Sequence, residues 1–498
     1  MTFNPANNST NRSYGRKAGG VNTANQTTST KHKRKGALGR VALLTLGVAV
    51  LGACNTTPAP VSGTSSALSG SESVVAQVGT SGSTTTTTTV VTYAYITTVL
   101  LSSTDTTTSV AKLAPGKVIA WHQNDAPIPF AVVGQSATQA SATALSTKVV
   151  SKLPNLKSFK SGVANAAGVG VWSGGVGVWS GGAGVWSGGA GVWSGGLGTS
   201  PSAGQNSNQF SQVRLSQAQT LATNLGAGVK VAVIDTGVDV LHPGLTANLA
   251  PSSDWKDFVD GDANPQEGFV SGGTNAAFGH GTVVAGIVLQ VAPNALIMPI
   301  RVLDAEGRGD STNVVSAIDW AVSRGAKVIN LSLGSVQNDS ALSKQIQYAT
   351  SKGVMVVASS GNTGDTAVSY PAAMSSSGST GPGFVGVGSV STTALDVKST
   401  FSTYGYKLEM VAPGEQVYST YPNSQLAWAS GTSFATPMVA GGLALALGQG
   451  TALNSYNLVA AVSSTANPVD ALNPTLTGML GSGRLNLEAF IKKALGLL

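Results

Sequence analysis

The chain has 498 residues, enough for one large domain with appended segments or for two or three domains. Its formal net charge is +7, but eight of the Lys and Arg residues precede residue 41. The rest of the chain has 20 cationic residues against 21 acidic ones, so its charge gives no reason to expect nucleic acid as a partner.

Residues 1–53 have the pattern of an export signal with a long basic leader. The basic run KHKRK is followed by an apolar run over residues 41–53, which is too short for a membrane core that needs ~20 residues. The run ends in LGAC, which resembles the lipobox of bacterial lipoproteins. The resemblance implies that Cys54 becomes the lipidated first residue of an exported protein, attached to the membrane at the cell envelope or surface. A conventional signal peptide cut nearby, with release from the cell, is the alternative.

Three segments of different composition follow. Residues 54–110 are rich in Ser and Thr and are predicted to be a tether, whereas residues 111–165 contain strand-like and helix-like apolar runs typical of a small folded unit. Residues 166–204 repeat a Gly/Trp motif every seven residues, with too many glycines for a stable helix. This repeat is predicted to be a linker or, alternatively, a set of short turns that place indole rings on a surface. The repeated tryptophans are Trp172, Trp179, Trp186 and Trp193.

Residues 205–498 alternate apolar, β-branched runs with helical patterns that end in glycine. The apolar runs cover residues 229–234, 295–303, 327–333 and 353–359. Strands buried on both faces have this composition, and the alternation with helices requires right-handed crossovers. We therefore predict an α/β fold with a doubly wound, mainly parallel sheet and helices on both faces.

Four polar residues lie at the ends of predicted elements in this part of the chain. Asp235 follows the first strand, Asn362 follows the fourth, and His280 and Ser433 begin predicted helices. A serine hydroxyl becomes a nucleophile when an imidazole accepts its proton and a carboxylate orients that imidazole. An amide side chain and a backbone N–H at a helix start are suitable donors for the oxyanion that forms. The four residue types together predict acyl transfer.

The segments VAVIDTGVD, GHGTVVAG, LSLGS, SSGNTG and GTSFATPMVAG occur in the order found in subtilisin-like serine proteases. The resemblance covers roughly residues 210–490. It implies that Asp235 orients the base, that His280 is the general base and acid, and that Ser433 is the nucleophile. Asn362 and the backbone N–H of Ser433 would form the oxyanion hole.

The resemblance also implies substrate-binding residues and a mode of action. Two segments would bind substrate, the first by pairing with an extended backbone and the second by lining the first specificity pocket. They are Ser332, Leu333 and Gly334, and Ser359, Ser360 and Gly361. The implied protein is an exported, monomeric endopeptidase that acts on proteins or peptides and needs no cofactor for its chemistry. By analogy with the family, residues 111–165 are a candidate pro-region that would be removed by self-cleavage around or after the tryptophan repeat.

The sequence leaves a structural calcium site open. Gly244 stands where relatives often have an acid that binds calcium, which puts that site in doubt. The loop DFVDGDAN supplies oxygen ligands at alternating spacing, and a solvated acidic loop fits the same pattern. The metal ligands are therefore unknown. The oxygen-bearing residues of the loop are Asp257, Asp260, Asp262 and Asn264.

Two other functions fit part of the pattern. A non-catalytic surface lipoprotein would use the same scaffold for binding, but the presence of all four reactive residue types argues against it. A serine esterase would place its nucleophile in a GxSxG turn, and Ser433 has Gly431 two residues before it but Ala435 two residues after it. The prediction is therefore a serine endopeptidase.

Overall fold

The computed structural model describes residues 92–155, 159–161, 205–271, 273–377 and 382–498. All of these residues belong to one compact unit, Ala67–Leu498. The predicted signal segment 1–53, the predicted lipidation site Cys54 and the Gly/Trp repeat 166–204 lie outside the described residues. Within the described ranges, no helix combines the length and apolar character needed to cross a membrane.

The N-terminal unit, residues 92–161, is an antiparallel sheet with two short helices and a separate short strand. Its elements are β1 (Tyr95–Leu100), α1 (Thr107–Leu113), β2 (Lys117–His122), β3 (Phe130–Gln135), α2 (Ala137–Ser141), β4 (Val149–Pro154) and β5 (Phe159–Ser161). The first four strands pair in the order β2-β3-β1-β4, and each helix begins with a capping box. The sheet therefore contains strands that precede and strands that follow each of the two helices along the chain.

The tether predicted over residues 54–110 is wrong for its last part, because β1 and the start of α1 lie within it. Thr97 and Thr98 are fully buried in β1, and the Thr97 hydroxyl donates to Gln135 Oε1 at 2.5 Å. A β-branched threonine suits a buried strand when its hydroxyl finds a partner. The folded unit predicted to begin at residue 111 therefore begins earlier.

The remaining elements form the larger part of the structure. In chain order they are α3 (Ser207–Gln212), α4 (Leu215–Leu221), β6 (Lys230–Asp235), β7 (Lys256–Asp257), α5 (His280–Val291), β8 (Leu296–Arg301), β9 (Arg308–Gly309), α6 (Ser311–Ser323), β10 (Val328–Leu331), β11 (Leu333–Gly334), α7 (Ser340–Ser351), β12 (Met355–Ser359), β13 (Phe384–Val390), β14 (Met410–Pro413), β15 (Val417–Tyr421), β16 (Gln425–Ala429), α8 (Thr432–Gly448), α9 (Ser455–Ser464) and α10 (Leu487–Ala494).

Seven of these strands form one parallel sheet in the order β14-β13-β12-β10-β6-β8-β7. Alternate side chains of β6 enter different apolar clusters. Val231 and Val233 pack with residues of α5 and α8, whereas Ala232 and Ile234 pack with residues of α6 and α7. Helices therefore cover both faces of the sheet, and the predicted doubly wound α/β fold is confirmed.

The N-terminal unit packs on the face of the sheet that carries α6 and α7. Ile96, Phe130 and Val132 belong to the same apolar cluster as those two helices, whereas Val99 and Val133 pack with α1 residues. β5 extends this contact, because it lies between β9 and β11 in a separate three-stranded sheet. Both of its pairings are antiparallel.

Candidate active site

The strand β6 and the helix α5 bring an aspartate and a histidine together. Asp235 ends β6 and His280 begins α5, and the distance from His280 Nδ1 to Asp235 Oδ1 is 2.7 Å. Both side chains are fully buried. Because a carboxylate accepts, Nδ1 donates the hydrogen bond, and in the neutral imidazole the lone pair is then on Nε2. Among the described residues, Nε2 has no hydrogen-bond partner.

The two glycines beside His280 allow this close approach. A Cβ on Gly281 would lie 2.0 Å from the Gly237 carbonyl oxygen, directly beyond β6. Gly279 has a φ of +87°, and a Cβ there would lie 2.6 Å from Pro422 and 2.7 Å from Tyr421. A side chain at Gly281 would push α5 away from the strand that carries Asp235, and one at Gly279 would push it away from Tyr421 and Pro422. Steric contacts therefore explain why a glycine stands on each side of His280.

Ser433 is the second residue of α8 and has a reciprocal contact with Ser332. The Ser433 hydroxyl donates to the Ser332 carbonyl oxygen at 3.2 Å, and the Ser332 hydroxyl donates to the Ser433 carbonyl oxygen at 2.7 Å. Pro437 stands four residues after Ser433 and has no N–H for the usual helical bond to that carbonyl. Ser332 thus supplies the donor that the helix lacks.

The next residue, Phe434, links Ser433 to the histidine. The rings of Phe434 and His280 have centroids 5.3 Å apart and are tilted by 50°. Phe434 is fully buried, so its ring fixes the start of α8 against the start of α5. The structure therefore brings Asp235, His280 and Ser433 to one region of the carboxyl edge of the sheet.

The side chain of Asn362 is oriented by the hydrogen bonds that its Oδ1 accepts. Its Oδ1 accepts hydrogen bonds from the backbone N–H of Thr432 at 2.9 Å and from the Thr432 hydroxyl at 3.0 Å. This fixes the side-chain amide, whose Nδ2 is buried and has no partner within the described part of the chain. A buried amide donor without a partner is costly unless a ligand uses it. Its arrangement suits the binding of an oxyanion that forms beside Ser433.

The segments predicted to bind substrate lie next to this cluster. Leu333 and Gly334 form β11, which pairs with Ser161 and Lys160 of β5. Ser359 ends β12, the Ser360 hydroxyl donates to the Thr403 carbonyl at 2.9 Å, and the Gly361 N–H donates to the Thr432 hydroxyl at 3.2 Å. The two segments therefore lie next to Asn362 and Ser433.

The sequence reasoning missed two parts of this region. β9 pairs with the other side of β5, with Phe159 opposite Gly309 and Lys160 opposite Arg308. A two-residue strand in a Gly-rich loop carries no periodic signal. The other missed residue is Glu267, whose carboxylate is buried behind the Asp235–His280 pair. Burial raises the pKa of Glu267 to about 7, and N–H donors from Gly279 and Thr282 act in the opposite direction.

The acidic loop considered for calcium is organised around an arginine. Arg301 Nη1 lies 2.8 Å from Asp257 Oδ2 and 2.5 Å from Asp260 Oδ2, and Asp262 accepts the backbone N–H of Asn264 at 2.8 Å. Within the described residues, no group of three or more His, Cys, Asp or Glu side chains is placed to hold a metal ion. Two of the loop's carboxylates therefore already have a cationic partner.

About half of the chain is similar to known proteins. The model of the subtilase family matches residues 226–483. The chain is similar to thermitase from Thermoactinomyces vulgaris, at 40% identity over 53% of this chain and 90% of that protein. It is also similar to subtilisin BL from Lederbergia lenta, at 38% identity over 53% of this chain and 91% of that protein. A crystal structure of a cold adapted subtilisin-like serine proteinase has 34% identity and a TM-score of 0.42, covering 48% of this chain and 83% of that one.

Proposed function

The chain belongs to the subtilase family and is a serine endopeptidase, and on that premise we propose that Asp235, His280 and Ser433 are its catalytic triad. The observation that carries the assignment is the state of His280. Its Nδ1 is bonded to Asp235 at 2.7 Å, while its buried Nε2 has no partner among the described residues. An imidazole fixed at one nitrogen and available at the other is what a general base requires.

The proposed reaction proceeds through an acyl-enzyme. His280 Nε2 takes the proton of the Ser433 hydroxyl as Oγ attacks the peptide carbonyl carbon. The oxyanion is stabilised by Asn362 Nδ2 and the Ser433 N–H, and the imidazolium by Asp235. The C–N bond then breaks, His280 donates its proton to the leaving amine, and a water molecule hydrolyses the ester by the reverse sequence. These steps use only protein groups and water, so we expect no cofactor in the chemistry.

The assignment is tested by chemical labelling and by one substitution. A sulfonyl fluoride should add to the parent enzyme at Ser433 and remove its casein-degrading activity, and S433A should be inactive and unlabelled. Labelling of a different serine, or full activity of S433A, would contradict the triad. The labelling also distinguishes a catalytic site from a non-catalytic binding scaffold. No feature of the described residues favours the binding scaffold.

We propose further that the N-terminal unit is an inhibitory pro-region. This extends the candidate pro-region, residues 111–165, toward the N-terminus. Support comes from β5, which lies between β9 and β11 where an extended substrate backbone would pair, and from the full burial of Ser433 and His280. Polar contacts between the two parts add to it, with Asn155 Nδ2 bonded to the Thr312 hydroxyl at 3.1 Å and Ser340 bonded to Ser151.

The pro-region proposal predicts self-cleavage. The mass of the purified parent protein should be smaller than that of S433A by an N-terminal portion that includes the described residues 92–161. The two parts should stay together in gel filtration until the N-terminal unit is degraded. An uncleaved parent with full activity would contradict the proposal.

The cellular location is a separate proposal. We infer that the protein is exported and attached to the membrane by a lipid on Cys54, where it acts as a monomer on protein or peptide substrates. LGAC at residues 51–54 supports the lipid, and a released form cut near that point is the alternative. Mass analysis of S433A from the native host tests the proposal, because this variant keeps the N-terminal portion that self-cleavage would remove, and a lipid adds mass to the fragment that begins at Cys54. An unmodified Cys54, or an S433A chain that starts beyond it, would contradict the proposal.

A structural calcium ion is proposed only as a stabilising ligand. Asp262 is not paired with Arg301, and Asn264 lies beside it, so these two residues keep oxygen atoms for a cation. Calcium should then raise the unfolding temperature of S433A relative to the same protein in a chelator. Equal unfolding temperatures would contradict the proposal, and the matched control D262N/N264A should show no calcium effect.

A further inference from the structure

Glu267 lies in the segment between β7 and α5, and its side chain is directed to the start of the helix that carries His280. The residue is 7% exposed. Its carboxylate bonds to Gly279, Thr282 and Thr236, whereas the imidazole bonds to Asp235, so Glu267 is separate from the triad. Glu267 contacts Thr236, which follows Asp235, and Gly279 and Thr282, which lie before and after His280.

The carboxylate accepts four hydrogen bonds. Oε2 accepts from the Gly279 N–H at 3.0 Å, whereas Oε1 accepts from the Thr282 N–H and the Thr282 hydroxyl, both at 3.0 Å, and from the Thr236 hydroxyl at 3.3 Å. Gly279 directly precedes His280, and Thr236 directly follows Asp235. Glu267 therefore connects the backbone beside the base to the backbone beside the orienting aspartate.

The directions of these bonds require an anion. The Thr282 hydroxyl accepts from the Asp239 N–H at 2.9 Å, and the Thr236 hydroxyl accepts from the Gly281 N–H at 2.9 Å, so each hydroxyl hydrogen is directed to Glu267. Each of these four contacts thus presents a donor to the carboxylate. A protonated carboxyl, or an amide, would place a hydrogen of its own against one of these donors.

The same contacts complete the N-terminus of α5, which has no side-chain cap from its own N-cap residue, Gly279. A helix start leaves its first four N–H groups without helical partners. Here the Gly279 and Thr282 N–H groups bond to Glu267, the Gly281 N–H bonds to the Thr236 hydroxyl, and the His280 N–H bonds to the Ala277 carbonyl. A negative charge at this end of a helix is also favourable.

We propose that Glu267, as an anion, is a positioning residue that holds His280 and Asp235 in the geometry for proton transfer. The inference rests on the proposed roles of those two residues. When Glu267 is protonated, the contact to Gly279 or to Thr282 is lost and the first turn of α5, with the imidazole on it, is no longer fixed. Glu267 must then be ionised for full activity, in addition to the base itself.

The surroundings of Glu267 place this ionisation in an accessible pH range. The titratable and charged groups on the elements around it are Asp235 and Asp239 at and after the end of β6, His280 on α5, Tyr421 on β15, and Arg301 on β8, whose guanidinium lies beside Gly268. Burial raises the pKa of Glu267 to about 7, and the negative charge of Asp235 acts in the same direction. The Glu267 side chain is therefore mainly ionised above about pH 7 and mainly protonated below it.

The test is E267Q, measured with a short peptide substrate and counted per active site by sulfonyl fluoride titration. We expect kcat per titrated site to fall roughly ten- to a hundredfold with KM little changed, because a small displacement of the base lowers the rate of proton transfer. The acid limb of the parent's pH profile should contain a second ionisation that E267Q lacks. E267D, which keeps the charge, should retain that second ionisation and recover part of the activity.

The matched control is E306Q. Glu306 also accepts a backbone N–H and a hydroxyl, from Asn275 and Thr274, but its carboxylate lies at the surface and these partners are not adjacent to Asp235 or His280, so kcat should not change. An E267Q enzyme that is only less stable, with the parent's kcat per titrated site and the parent's pH profile, would overturn the proposal. If E267Q does not fold, a parent acid limb that fits a single ionisation overturns it as well. An active S433A would instead overturn the triad, so the two failures are distinguishable.

Discussion

The contact between Ser332 and Ser433 depends on a proline four residues away. In an uninterrupted helix the N–H of residue 437 would bond to the carbonyl of residue 433, but Pro437 has no N–H. The Ser332 hydroxyl takes this place at 2.7 Å. The sequence predicts that Ser332 binds substrate through its backbone, and in the structure its side chain joins the β10–β11 segment to the helix that carries Ser433.

We predict that S332A destabilises the protein through this carbonyl. The Ser433 carbonyl would lose the hydrogen bond from the Ser332 hydroxyl, which costs about 0.5–1.5 kcal/mol. In a P437A background the alanine N–H bonds to the same carbonyl, so S332A should cost less there. Denaturant unfolding of the four variants, all carrying S433A to prevent self-digestion, measures the coupling. Equal costs of S332A in both backgrounds would contradict this interpretation.

Asn362 gives a prediction about rate. Replacing it by leucine removes the buried Nδ2 donor, so the oxyanion loses one of its two proposed hydrogen bonds, and it also removes the Oδ1 acceptor of Thr432. In subtilisin, loss of the corresponding amide lowers kcat by about 10²–10³, and we expect a loss of the same order for N362L. N362L should keep its KM and its reaction with sulfonyl fluoride. A loss confined to KM would assign Asn362 to substrate binding.

At this scale the sequence predicted where the proposed catalytic residues lie at the ends of elements, but it did not indicate Glu267, which contacts their neighbours. Asp235, His280, Ser433 and Asn362 each stand in a short motif at the end of an element, so local sequence indicates their positions. Glu267 stands in no motif, and its partners are 12 to 31 residues away along the chain. Contacts of that kind are formed by packing, which a single sequence does not display.

At the scale of elements, β5 is the segment that the N-terminal unit places in the substrate-pairing position. Phe159 is 1% exposed and shares an apolar cluster with Leu333 of β11. The backbones of its neighbours Lys160 and Ser161 pair with β11 in a β-ladder. The ladder holds the strand in register, and the phenyl ring is its apolar anchor against the larger part of the structure.

F159A should weaken the inhibition that we propose for the N-terminal unit. Truncating a buried phenylalanine costs about 3–5 kcal/mol, and here the loss falls on the contact between the two parts. In newly purified protein, activity on a small peptide should appear earlier in F159A than in the parent. V150A is the matched control, because Val150 is 44% exposed in β4 and should not alter the time course. A parent-like time course for F159A would contradict the anchoring role.

The elements of the fold differ in how well the sequence predicted them. The long apolar runs at residues 229–234 and 353–359 became the central strands β6 and β12, since strands buried on both faces are apolar throughout. β1 was missed because its threonines look like those of a tether, and they differ only in having partners such as Gln135. β9 and β5 were missed because each is a short strand that is defined by pairing with strands far away along the chain.

At the scale of the whole molecule, the N-terminal unit and the larger part share a titratable contact. His122 of β2 stacks on Tyr348 of α7 with centroids 3.6 Å apart, and its nitrogens lie 3.2 Å from Asp319 of α6 and 3.4 Å from Asp125. Lys352 lies 3.9 Å from Asp125. Burial lowers the pKa of His122, but the nearby negative charges of Asp319 and Asp125 raise it more, so its pKa is above 6.5. The protonated imidazole is thus the form that this contact stabilises.

This sign predicts that the contact weakens as pH rises. A histidine with a raised folded-state pKa contributes stability that is complete below its unfolded value of 6.5 and is lost as pH rises through the higher folded value. In the S433A background, H122Q should therefore lower the unfolding free energy most at acid pH and least at alkaline pH. Denaturant unfolding at a series of pH values measures the difference, with K352Q as a control that should show no such trend. A difference that grows toward alkaline pH would mean that His122 is held neutral, and the N-terminal unit would then be bound more tightly, not less, under alkaline conditions.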